Sequence, residues 1–186
     1  TALHYLWLGA EHIAIGIDHL FFVAGLLLLV GWSMRLVYTV TAFTVGHSVT
    51  LALVSLGVVT NPEAVIEWLI ALSIWVLAFE LSRPGKHSRL WQRPWYLAAL
   101  FGLLHGMGFA GALAETGLPQ LHLPTALLFF NVGIELGQLA FIALLTVVGT
   151  FVLRLSQASW IKIAPVYVLG AVSTYWLLDR TGALLG

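Results

Sequence analysis

The residues of this chain that could do chemistry are carboxylates and imidazoles set inside apolar runs. Glu11-His12-Ile13-Ala14-Ile15-Gly16-Ile17-Asp18-His19 leads directly into the apolar run 20–30. Thr44-Val45-Gly46-His47-Ser48-Val49-Thr50 and Gly102-Leu103-Leu104-His105-Gly106 lie inside two further runs, and Asn131, Glu135 and Gln138 inside a fourth. Ionisable groups in a membrane helix are expensive unless a partner or a wet cavity compensates them, so they mark functional positions. Imidazole and carboxylate together form the nitrogen and oxygen ligand sets of nickel, zinc, cobalt and iron. The leading expectation is a metal site built from His12, Asp18, His19, His47, His105 and Glu135. Glu11 is expected at its entry, and Asn131 and Gln138 orient the imidazoles or act as hydrogen-bond glue between helices.

The elements that must position these groups follow from composition. Of 186 residues 60% are hydrophobic and 9% charged, with eight Trp, values far from those of a soluble domain. The formal net charge is zero, which offers nothing to nucleic acid, and the absence of cysteine excludes disulfides, thiolate ligands and a Cys nucleophile. A helix needs roughly 20 apolar residues to cross the hydrocarbon core. Segments 9–31, 36–58, 63–82, 94–115, 123–153 and 159–179 satisfy this, the fifth being longer than one span requires. The expected fold is therefore all-α, a polytopic membrane bundle of about six transmembrane helices forming a single domain over 1–186.

Arg35, Arg83, Lys86, Arg89, Arg93, Arg154 and Lys162 fall on one side of a six-span alternation and Arg180 alone on the other. The positive-inside rule then places both termini outside the cytoplasm. Trp7, Trp68 and Trp176 anchor one interface and Trp32, Trp91, Trp95 and Trp160 the other. Residues 1–9 carry no basic segment and the chain does not open on Met, so a preceding segment is expected. No internal repeat stands out.

At about 1.5 Å of rise per residue, His19, His47, His105 and Glu135 reach a similar depth from four helices. On a continuous first helix, His12 and His19 share one face two turns apart, with Glu11 and Asp18 on the adjacent stripe. This makes a ladder from an outer gate at Glu11 and His12 to the central site. Glu67 and Glu80 read as interfacial carboxylates, Glu80 beside Arg83, and His4, His87 and His122 as residues outside the membrane.

The chain resembles the HupE/UreJ family of membrane proteins. The likeness rests on His12-x-x-x-Gly16-x-Asp18-His19, Phe43-Thr44-Val45-Gly46-His47-Ser48-Val49-Thr50, His105-Gly106, and Asn131-Val132-Gly133-Ile134-Glu135-Leu136-Gly137-Gln138. It resembles a second branch of that family, because Ile13 follows His12 where a Pro is usual and no Glu follows His105-Gly106. The resemblance implies a nickel permease of the bacterial inner (cytoplasmic) membrane in which the first-span His and Asp are needed for transport. Three functions remain open: a carrier of a divalent transition metal, nickel foremost; an intramembrane zinc hydrolase using Glu135 or Asp18 to activate water; and an accessory subunit of a membrane complex. The partners expected are a metal ion, the lipid bilayer, and a second copy or another membrane protein.

Overall fold

The computed structural model describes residues 2–60, 62–83, 92–115, 123–155, 158 and 160–185. Lys86, His87, Arg89 and Trp91 of the basic run, and His122, lie outside the described residues. Among the described residues seven helices follow in order: α1 Ala2–Ile15, α2 Ile17–Val30, α3 Met34–Ser55, α4 Glu63–Ser82, α5 Pro94–Glu115, α6 Leu123–Leu155 and α7 Trp160–Leu185. No strand occurs among the described residues. Four of these helices, α3, α4, α6 and α7, are long and apolar enough to cross a membrane, and α1 with α2 makes a fifth if taken as one broken span.

Helix ends are set where the backbone leaves the helical region. Gly31 closes α2 at φ 73° and ψ 171°, a conformation essentially confined to glycine, and its N–H still bonds Leu27 O at 2.9 Å. Gly57, at φ 71°, ends the turn after α3, and Pro62 precedes α4, where its missing N–H costs nothing.

Expected segments 36–58 to 159–179 correspond to α3 through α7, but 9–31 is not one straight helix. The chain breaks at Gly16, and α1 and α2 meet at a bend of 77°. Each packs where its own face directs it: α1 lies along α6, and α2 lies against α4. The other close pairs are α3 with α5 and α4 with α7.

Two apolar clusters form the interior. One gathers residues of α2 to α7, chiefly α2, α3 and α4, including Phe22, Leu26, Val40, Phe43, Ile74 and Phe101. The second is smaller and gathers Ile13, Leu51, Leu127, Phe130 and Ile134. The histidines lie between them, with Phe43 of the first cluster 5.1 Å from the His105 ring and Phe130 of the second 5.7 Å from the His12 ring.

Candidate metal centre

The break at Gly16 builds half of the site. Gly16 N bonds His12 O at 2.9 Å as the last turn of α1, and Gly16 O accepts Leu20 N at 3.0 Å as the first turn of α2. A Cβ at Gly16 would stand 2.8 Å from His19 Nδ1 and 2.9 Å from His12 O, so this position has room only for hydrogen. On a straight helix His12 and His19 would stand about 10 Å apart along the axis. The bend brings their ring centroids to 4.6 Å. The expected ladder with an outer gate is thus overturned, and His12 joins the same cluster as His19. Asp18 falls in the first turn of α2, where the helix dipole favours a carboxylate.

Glycines build the other half. A Cβ at Gly46 would overlap the carbonyl oxygen of Ala99, one at Gly102 that of Phe43, and one at Gly106 that of His47, so the α3 and α5 backbones touch. Thr50 Oγ1 bonds Leu103 O at 2.7 Å across the same seam. This close approach places His47 of α3 and His105 of α5 inside the bundle, both with 0% exposure. The His19 ring stands 4.9 Å from His105 and 5.7 Å from His47, and His12 stands 5.7 Å from His47. Ligand atoms of Asp18, His19 and His105 lie within 4.8 Å of one another.

In a neutral imidazole one nitrogen donates and the other carries the lone pair, so the hydrogen bonds select which nitrogen can bind an ion. Asp18 Oδ1 accepts from His19 Nδ1 at 2.9 Å, which leaves the lone pair on His19 Nε2. Ser73 Oγ donates its proton to Ile70 O at 2.7 Å, so at 3.2 Å from His105 Nε2 it accepts from that ring. The lone pair of His105 then sits on Nδ1. His19 Nε2, His105 Nδ1 and both ring nitrogens of His47 are buried without a hydrogen-bond partner. Buried polar atoms are almost always satisfied, and leaving one bare costs about 1–3 kcal/mol. Partnerless imidazole nitrogens on neighbouring rings fit the donor set of a divalent transition metal.

The remaining expected residues are placed differently. Glu135 accepts from Thr41 Oγ1, and Gln138 Oε1 from Thr44 Oγ1 at 3.0 Å, forming two rungs between α6 and α3. Asn131 donates to Leu127 O at 2.8 Å within its own helix, and its Oδ1 and Gln138 Nε2 are buried without partners. Glu11 is exposed on α1. Glu80 is buried and pairs with Arg83 at 3.7 Å, while Glu67 pairs with Arg180 at 3.8 Å. Ser73 was not read from the sequence; the signal available was a single hydroxyl in the apolar middle of α4.

A carboxylate holding one imidazole, a hydroxyl holding another and a third imidazole beside them can bind a divalent ion of intermediate softness. A family model described as HupE / UreJ protein matches residues 1–180. No curated protein and no solved structure matches significantly.

Proposed function

The chain belongs to the HupE/UreJ family, and from that premise we propose that it carries a divalent transition metal, nickel foremost, across the membrane through the histidine cluster. The observation that carries this reading is the set of bare, buried nitrogens on His19, His47 and His105. His19 Nε2, His105 Nδ1 and one nitrogen of His47 take the ion, and His12 completes the set from the end of α1. Neutral imidazoles bind without adding charge to a poorly solvating interior, and the Asp18 carboxylate offsets part of the charge of the ion while holding His19 in the binding tautomer. Glu135 and Gln138, on their rungs to α3, act on the approach to the site. With the basic ends of the helices facing the cytoplasm, transport runs inward from the side of the chain termini.

The burial that protects these nitrogens also favours a second reading, an intramembrane zinc hydrolase with three imidazoles and an open position. Nickel uptake by protein in liposomes, paired with elemental analysis, separates the two. His19→Ala or His47→Ala should abolish uptake and metal content while the bundle stays folded. Tightly held zinc without nickel flux would support the hydrolase, and unchanged metal content in both variants would remove the central site altogether.

A further inference from the structure

The glycine contacts recur in pairs. A Cβ at Gly9 would overlap Phe130 O and stand 2.9 Å from Ile134 N; one at Gly102 would overlap Phe43 O and stand 3.1 Å from His47 N. A Cβ at Gly133 would overlap Leu6 O and stand 3.1 Å from Ala10 N; one at Gly46 would overlap Ala99 O and stand 3.1 Å from Leu103 N. A shift of 93 therefore carries Leu6, Gly9 and Ala10 of α1 onto Ala99, Gly102 and Leu103 of α5. A shift of 87 carries Phe43, Gly46 and His47 of α3 onto Phe130, Gly133 and Ile134 of α6.

Side chains obey the same correspondence. Gly9-x-x-His12 matches Gly102-x-x-His105, and Phe43-Thr44-Val45-Gly46 matches Phe130-Asn131-Val132-Gly133. The Phe43 ring lies against His105 and the Phe130 ring against His12. In α4 and α7 a shift of 100 carries Ser73 onto Ser173; both are buried, and they donate to Ile70 O and Gly170 O, three residues back.

The directions of the helices agree as well. Contact numbers rise together between α1 and α6 and between α3 and α5, so these pairs are parallel. Between α4 and α7 they run oppositely, with Glu67 at Arg180 and Ala78 at Gly170. Alternating spans then make α1 and α5 cross the membrane in opposite senses, as in inverted-topology repeats whose substrate site lies at their interface.

One element breaks the match. Four residues beyond His12 the first repeat is bent at Gly16, whereas α5 continues as helix past the equivalent Phe109 to Glu115, through Gly108 and Gly111. We propose that the protein consists of two inverted repeats, 2–82 and 94–185, and that the ion crosses when the break passes from one repeat to the other. In the state described here the α1–α2 pair is bent and α5 straight. In the opposite state α5 bends at Gly108–Gly111 and the α1–α2 pair straightens, which draws His19 and Asp18 away from His12 and releases the ion. This mechanism rests on the transport reading above, and it assigns His12 and His105 as equivalent ligands.

Gly108→Ala with Gly111→Ala tests it. A Cβ at Gly108 meets only the movable tip of Ile70 at 2.9 Å and that of Ile66 at 3.8 Å. The pair should leave bound Ni²⁺ per chain unchanged and lower Ni²⁺ flux in liposomes about thirtyfold, the bias that two such replacements give to a straight helix. Unchanged flux, or lost Ni²⁺ binding in folded protein, overturns the exchange. Absence of flux in the unsubstituted protein defeats the transport reading and this exchange together. The repeat itself is tested without transport, because the chain contains no cysteine. His4→Cys and Gln92→Cys, near the starts of α1 and α5, should react with a membrane-impermeant maleimide from opposite faces, and labelling from one face overturns the inverted arrangement.

Discussion

The chemistry of the centre depends on two short contacts that select tautomers. Asp18→Asn keeps the shape of the side chain but removes the carboxylate that holds His19 Nδ1–H at 2.9 Å. Nickel affinity measured by titration should fall about 10–100-fold, the usual cost of losing such a partner. Ser73→Ala removes the acceptor for His105 Nε2–H and frees the ring to take the other tautomer. Affinity should fall about tenfold and folding stability by about 1–3 kcal/mol, and wild-type affinity in this variant would refute the tautomer assignment. Asp18, His19, His47 and His105 were legible in the sequence because each is a costly polar group in an apolar run. Ser73 was not, since a serine in a membrane helix satisfies itself on its own backbone, as it does here at Ile70 O.

At the scale of elements, glycines decide which helices meet. Gly102→Ala should force Phe43 O and its backbone away and cost about 1–3 kcal/mol or more, as overpacking does. Gly149→Ala and Gly182→Ala, where nothing lies within 4 Å, should be neutral or slightly stabilising. Unfolding in mixed detergent measures both, and equal stability of the Gly102 and Gly149 variants would mean that the α3–α5 seam is not close-packed. Apolar runs alone revealed helices α3 to α7. They could not reveal the 77° bend, because a single glycine such as Gly16 is common inside membrane helices and does not by itself mark a break. The closeness of His12 and His19 that the bend creates exists only after folding. The repeat was hidden for a related reason: its shifts are 93, 87 and 100 in the three helix pairs, so no single offset aligns the halves.

For the molecule as a whole, composition was sufficient to identify an all-helical membrane protein, and depth counting brought three of its histidines together. The structure adds that, among the described residues, apolar side chains lie on both sides of the layer they form. Phe22 and Phe43 stack at 5.0 Å beneath the His19 and His105 rings, with Leu26, Val40, Ile74 and Phe101 behind them. Ile13, Leu51, Phe130 and Ile134 form the apolar cluster on the other side. A hydrated divalent ion meeting these apolar layers would lose water ligands that none of their side chains replaces, which favours a carrier over a continuously open pore. In the carrier mechanism proposed above, the site opens to one face at a time and each crossing requires a conformational cycle, on the μs–ms scale typical of domain motions. Nickel uptake into liposomes should therefore saturate with concentration, while planar bilayers containing the protein show no unitary current. A resolvable current step carried by Ni²⁺ would establish a continuous water path through the Phe22–Phe43 layer and refute the carrier mechanism.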